Sequence, residues 1–310
     1  MKVIRARVLG FCMGVKRAVE MASEEVKRSS ENGKPVFTLG PLIHNPKVLA
    51  DLKAQGVKIL NENCDNQSLE CNSASNMQFF EGSISDYTII IRAHGISPST
   101  EKDLQQNGWR IVDATCPKVK SNQIKVRELS CAGFHLFLAG EAGKQGFIHA
   151  EIAGLLGYGE SASFCTVVCN AKEGKEAAAN LKKNKKDAKT ALLGQTTISE
   201  EEYTCIALEI KKYFPDLKIE KTICNAAAER RKALRELLPS VDALVIAGSS
   251  ESANTRRLFE IAKESGKPCI LAEDASEIPP DFYKYKTVGL CAGASAPDSV
   301  INEIEQKLLK

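Results

Sequence analysis

Short apolar runs alternate with amphipathic stretches along the chain, and the polar junctions between them recur in three sets. KVIRARVLGFC (2–12), WRIVDATC (109–116) and LKIEKTIC (217–224) each read as a strand that stops at a cysteine. A helical pattern follows each one. In GVKRAVEMASEEVKR, Val15, Val19, Ala22 and Val26 fall at spacings of 4, 3 and 4, and IKVRELSCAG and AERRKALRELLP are less regular counterparts. Next come the short apolar strands PVFTLG, FHLFLAG and DALVIAG, running into polar loops that carry His44, His149, and the pair Ser252 and Asn254. A second strand-to-loop junction in each set delivers His94 (YTIIIRAHG), Thr196 (TALLGQTT) and Ser295 (VGLCAGAS), with a further helix behind it.

Cys12, Cys116 and Cys224 lie 104 and 108 residues apart, a near-constant period. The pattern predicts an α/β protein of three similar units with mainly parallel sheets, arranged pseudo-threefold around a common centre: 13–115, 116–220, and 221–310 completed by the N-terminal strand 1–12. In the first two units the last helix leads into the next cysteine strand, whereas in the third the chain stops, so residues 2–12 are expected to supply the missing strand. Ligands of parallel sheets collect at the carboxyl ends of the strands, where all of these loop residues lie. The stretch 61–85 breaks the pattern as a polar insertion, and its Cys64 and Cys71 fit no metal-ligand spacing.

Composition narrows the class. A formal net charge of +3, with no long single-sign block beyond LKKNKKDAK (181–189), demands neither nucleic acid nor a membrane surface as partner. No run reaches the length of a membrane span, and the N-terminus alternates like a strand, so a cytoplasmic location is expected. Eleven cysteines, an odd number, argue for reduced thiols. Cys165, Cys169, Cys205, Cys269 and Cys291 sit in apolar runs and are expected to pack as small hydrophobes.

Three cysteines from distant positions, without a C-x-x-C pair, match neither a zinc ribbon nor a ferredoxin run. A set of three suits a four-iron cluster with one iron left open for substrate; zinc with three thiolates and a water is the alternative. Ser252, Asn254 and Ser295 lie at or just before helix starts, and His44 and His94 stand close to the helix-start signatures Asn45-Pro46 and Ser97-Pro98. Helix N-termini attract phosphate, and each charge-assisted hydrogen bond contributes about 1.5–3 kcal/mol. That constellation suits an anionic, diphosphate-like substrate. Glu151, two residues after His149, is the carboxylate placed for proton delivery, with Thr196 as relay; His135 lies inside a strand and is read as structural. A hydro-lyase on the same open iron and a non-catalytic cluster-bearing sensor are competing readings.

GFCMGVKRAVE, GPLIHN, RAHGISP, DATCPKV, HAEIAG, GQTTIS, TIC, GSSESANTRRL and AGASAP, in that order and spacing, resemble the LytB/IspH family over nearly the whole chain. The resemblance implies a [4Fe-4S] cluster on Cys12, Cys116 and Cys224. It also implies reductive dehydroxylation of a small allylic diphosphate, 4-hydroxy-3-methylbut-2-enyl diphosphate, to isopentenyl and dimethylallyl diphosphate. By position, His44, His94, Ser252, Asn254 and Ser295 match the diphosphate-binding residues, while His149, Glu151 and Thr196 match those around the hydroxyl, with Glu151 the proton source. With no G-x-G-x-x-G after a strand, electrons are expected from a separate protein such as a ferredoxin or flavodoxin. The chain departs from the family at Ala150 of His-Pro-Glu, at Ala253, where a serine is usual, at Gln123, where a histidine is common, and in Asn225 to Arg231, where A-T-x-x-R-Q is usual.

Overall fold

The computed structural model describes residues 1–30, 33–43, 45–60, 84–140, 150–159 and 164–310, with the backbone but not the side chain of residue 150. His44, His149 and nearly all of the 61–85 insertion lie outside the described residues. The chain divides into two compact units, one of residues 1–23, 41–56 and 225–310 and the other of residues 24–40 and 57–224.

The first unit holds one sheet, built from β1 (Lys2–Arg5), β10 (Ala243–Ala247), β11 (Cys269–Ala272) and β12 (Thr287–Ala292) in the order β1-β12-β10-β11. β1 pairs in parallel with β12, Lys2 opposite Thr287 and Arg5 opposite Leu290, so the N-terminal strand does complete the last sheet. Its helices are α2 (Pro46–Ala54), α8 (Asn225–Leu237), α9 (Ala253–Glu264) and α10 (Asp298–Leu309), together with the start of α1 (Met13–Ser30), which runs on into the second unit. Arg5 binds Glu305 of α10 through Nε and Nη2 at 3.0 and 2.5 Å, anchoring the edge strand.

The second unit holds two sheets. β2 (Val36–Leu39), β3 (Val57–Leu60), β4 (Thr88–Ile91) and β5 (Arg110–Asp113) lie in the order β5-β4-β2-β3; β6 (His135–Ala139), β7 (Cys165–Val168), β8 (Thr190–Gly194) and β9 (Lys218–Ile219) lie in the order β9-β8-β6-β7. All pairings are parallel, and the order is the same in all three sheets. The linking helices are α3 (Pro98–Gln106), α4 (Pro117–Cys131), α5 (Ala150–Tyr158), α6 (Ala171–Asn184) and α7 (Glu200–Lys211).

Helices on both faces explain why the inner strands are continuous apolar runs rather than alternating ones. Ile89, Ile90, Leu136, Phe137, Leu244 and Val245 are all fully buried, each such side chain contributing about 1.5–3 kcal/mol. The outer strands β3, β7 and β11 are only partly buried, without the fully buried run of the inner ones. Asn45 and Ser97 cap α2 and α3 as their Asn-Pro and Ser-Pro signatures predict, accepting from Val48 N at 3.1 Å and Thr100 N at 3.2 Å.

The ends of the cysteine strands differ from the sequence expectation. β1, β5 and β9 stop at Arg5, Asp113 and Ile219, well short of the cysteines, and α1, α4 and α8 begin one residue after Cys12, Cys116 and Cys224. Each cysteine is therefore a helix-start residue. For α4, Pro117 in the first turn presets the backbone and explains a start seven residues ahead of the apolar pattern at Ile124. Cys205 is exposed on α7, not packed in the core; Cys291 is buried, and burial pushes its thiol up to about 12. Cys165 is half-buried, its thiol likewise pushed up to about 11. Among the described residues no helix is long and apolar enough to cross a membrane.

Candidate active site

The three cysteines occupy equivalent local structures. β4, β8 and β12 end at Ile91, Gly194 and Ala292, and two residues beyond each end a carbonyl receives a cysteine amide. Cys116 N donates to Ala93 O at 2.9 Å, Cys224 N to Thr196 O at 2.8 Å and Cys12 N to Ala294 O at 3.1 Å. The three thiols are partly buried. Each stands ahead of a helix, where unpaired N–H groups and the helix dipole favour negative charge; Val15 N lies 3.5 Å from Cys12 Sγ. This register sharpens the sequence alignment. Thr196 corresponds to Ala93 and Ala294, and the counterpart of His94 and Ser295 is Thr197, one residue later than the spacing suggests.

In the second unit Thr196 joins a cysteine to a carboxyl group. Its backbone N and its Oγ1 donate to Glu151 Oε1 and Oε2 at 2.8 and 2.7 Å, while its carbonyl holds Cys224. Glu151, in the first turn of α5, is 1% exposed. Desolvation raises its carboxyl to about 7; the two bonds from Thr196 and the more distant Lys118 charge oppose that rise without reversing it. A carboxyl group in that range holds a proton near neutral pH and can release it.

His94 is half-buried on the loop after β4, followed by Gly95 at φ 73°. A Cβ on Gly95 would strain that left-handed backbone and stand 2.5 Å from Gln123 Nε2. Gln123 is 1% exposed, and neither of its amide atoms has a hydrogen-bond partner among the described residues. His135 is a structural residue, as its place within a strand predicts. Its Nε2 lies 2.9 Å from Thr166 Oγ1, and burial pulls its pKa down to about 4, so the ring is neutral at physiological pH.

In the first unit Ser252, Asn254 and Ser295 are buried at the carboxyl ends of the adjacent strands β10 and β12. Ser252 caps α9, with its Oγ 3.4 Å from Thr255 N. Asn254, on the first turn, has no partner for its Nδ2 among the described residues. Donors at an open helix N-terminus are what a phosphate group needs. Sequence reasoning passed over Thr255, which is fully buried and approaches Gly248 and Gly293 so closely that a side chain on Gly293 would collide with it. The glycine after each strand was the available signal. Ala253, where the family has a serine, is the first residue of α9 and is itself buried.

A model of the LytB protein family matches residues 3–309. The chain belongs to the LytB family. It is 40% identical over 312 residues to a Treponema denticola protein named 4-hydroxy-3-methylbut-2-enyl diphosphate reductase, covering all of both chains. An Aquifex aeolicus protein of the same name is 36% identical over 307 residues, covering 99% of this chain and 95% of that one. A solved structure described as (E)-4-hydroxy-3-methyl-but-2-enyl diphosphate reductase, the terminal enzyme of the non-mevalonate pathway, is 34% identical. It superposes with a TM-score of 0.68 over 100% of this chain and 99% of that one. A Plasmodium falciparum reductase at 22% identity and a TM-score of 0.82, covering 88% of that chain, shares the fold. Against the family motif A-T-x-x-R-Q, the arginine is kept as Arg230, and the departures are Ala227 and Arg231.

Among the described residues no group of three or more His, Cys, Asp or Glu could hold a metal ion. The cysteine chemistry nevertheless fits an iron–sulfur cluster: three partly buried thiols, each ahead of a helix and each fixed by its own amide to an equivalent carbonyl. Among the described residues no fourth cysteine occupies such a position, because the fold repeats three times.

Proposed function

We propose that Cys12, Cys116 and Cys224 hold one [4Fe-4S] cluster in this LytB-family reductase and that Glu151 and Thr196 manage a proton beside the substrate. The reaction is removal of the hydroxyl of 4-hydroxy-3-methylbut-2-enyl diphosphate as water by two electrons and two protons. It yields isopentenyl and dimethylallyl diphosphate, the last step of the methylerythritol phosphate pathway. When bound, the cluster supplies electrons and, at the iron without a protein thiolate, Lewis acidity.

The residues of the chain do the rest. Burial raises the Glu151 carboxyl to about 7, so it can hold and release a proton near neutral pH, and Thr196 Oγ1, 2.7 Å away, orients that carboxyl and passes its proton on. Ser252, Asn254 and Ser295 bind diphosphate oxygens at the start of α9 and the end of β12. His94 joins them, as do His44 and, near the hydroxyl, His149, on the strength of the family motifs. A ferredoxin or flavodoxin in a reducing cytoplasm delivers the electrons.

The observation that carries this reading is the double use of Thr196, whose carbonyl fixes a cysteine and whose N and Oγ1 fix the proton-bearing carboxyl. Mössbauer spectra of anaerobically purified protein, with and without substrate, test it. One iron site distinct from the other three, changing when the allylic diphosphate is added, is the expected result. A colourless protein with stoichiometric zinc overturns the reading, as does water loss without consumption of reductant.

A further inference from the structure

The helix behind one cysteine is tied to the loop of the next. Asn122 stands on α4, six residues beyond Cys116, and its Nδ2 donates to Thr222 O at 3.1 Å, two residues ahead of Cys224. Arg230 stands on α8, six residues beyond Cys224. Its Nε and Nη2 donate to Gly10 O at 3.2 and 2.6 Å, two residues ahead of Cys12. Both donors are buried, Asn122 fully and Arg230 to 3% exposure. The same offsets, plus six on one side and minus two on the other, appear in two separate compact units built from different residue types.

The surroundings of each bond serve the same end. Lys118, Asn122 and Lys125 share one face of α4 at spacings of 4 and 3. All three reach the cysteine loop, Lys118 Nζ at Lys221 O (2.9 Å) and Lys125 Nζ at Glu220 Oε2 (2.5 Å). Thr222 is fully buried and accepts from Gly194 N through Oγ1 at 2.6 Å, so the loop is pinned to β8 as well as to α4. Arg230 also returns Nη1 to Ala226 O at 2.8 Å, fixing its own side chain against the first turn of α8. Gly10 has φ 75°, and a Cβ there would stand 2.9 Å from Ile301 Cδ1, so its carbonyl is turned by a backbone that only glycine adopts without strain. At the corresponding place on α1 stands Ala18, which has nothing to donate. The tie exists at two of the three cysteine helices.

We infer that Asn122 and Arg230 are positioning residues for the cluster ligands, each fixing the backbone ahead of one cysteine from the helix that follows another. The inference rests on the proposed reading that the three cysteines share one cluster. It assigns the side chains a task that the sequence motifs do not state: keeping the cysteine loops in place whether or not iron is bound.

The test compares anaerobically prepared holoprotein with Asn122→Leu and Arg230→Met. Iron release to a ferrous chelator is followed by loss of the cluster's visible absorbance, at a temperature where far-ultraviolet circular dichroism shows every variant fully folded. Each variant is expected to release iron about three to ten times faster than wild type, the scale of one or two lost hydrogen bonds. The low-temperature EPR spectrum of the reduced cluster should shift with it. Should Asn122→Leu not fold, Lys118→Met removes a second donor to the same loop from a partly exposed position and is expected to act in the same direction. Wild-type release rates and spectra in folded variants overturn the inference alone. A wild-type protein that binds no iron–sulfur cluster overturns the underlying reading, and this inference with it.

Discussion

Glu25 and Glu151 are both buried glutamates on helices of the second unit, and their surroundings move their acidity in opposite directions. Glu25, on α1, meets Arg110 of β5 at 2.6 Å through Nη1 and at 3.3 Å through Nη2, with Arg28 one turn away at 2.9 Å. The hydrogen bond from Arg110 leads the lowering of its pKa, against desolvation. Glu151 meets the amide and the hydroxyl of Thr196, and desolvation outweighs them. Depth of burial and the charge of the partners together decide whether a carboxyl keeps its proton. The glutamate beside arginine gives up its proton more readily than a free carboxyl, and the one beside threonine less readily.

The contrast is broken most directly by turnover. Glu151→Gln keeps the shape and removes the proton, so the rate with a chemical reductant should fall by about 10²-fold or more, the usual contribution of a positioned acid. Glu25→Gln should leave that rate unchanged. Equal effects of the two would show that the acidity difference has no catalytic meaning.

Stability against pH is next in size. Glu151 has its folded pKa raised from 4.5 to about 7, so the folded state binds more protons than the unfolded one across that window. Its contribution to stability must fall as pH rises from about 4.5 to 7, by about 3 kcal/mol in total. Urea denaturation across this range should lose that slope in Glu151→Gln. Glu25 has the opposite sign: its stabilisation is present above the ordinary carboxylate range and is lost as pH falls through its lowered folded value.

Arg110→Leu probes the other side of the comparison by leaving Glu25 with Arg28 as its remaining cation. Because the Arg110 side chain is 52% exposed, solvent screens the pair, and a loss of about 1 kcal/mol in urea denaturation is expected. The smallest change is Thr196→Val, which deletes one bond to Glu151 and keeps the amide bond. It should slow turnover a few-fold and move the alkaline limb of the pH–rate profile upward, because a donor to the ionised carboxylate has been lost. A downward shift would contradict the assignment of Thr196 as a donor.

Much of this architecture is legible in the residues. Three near-equal intervals between Cys12, Cys116 and Cys224, with matching apolar runs, predicted three parallel α/β units and assigned the N-terminal strand to the last sheet, where β1 pairs with β12. Thr196 was expected to relay a proton for Glu151, and the two side chains meet at 2.7 Å although 45 residues separate them. The exact ends of the cysteine strands were not legible. An apolar pattern reports which residues are buried, not where ladder hydrogen bonds stop, and the loops carrying Ala6, Ala114 and Thr222 are buried as deeply as a strand.

The sequence by itself determined the repeat, the cysteine set, the family and the list of polar residues at strand ends, because each of these is a matter of residue type and spacing along the chain. Only the tertiary structure decided that the pKa of Glu151 is raised and that of Glu25 lowered, since two glutamates are chemically identical until partners from other elements surround them. It also decided that Thr197, not Thr196, is the counterpart of His94 and Ser295. Asn122 and Arg230 came from the same source. A hydrogen bond spanning 100 or 220 residues leaves no period in the sequence, and it exists only once the folded chain has brought its two ends together.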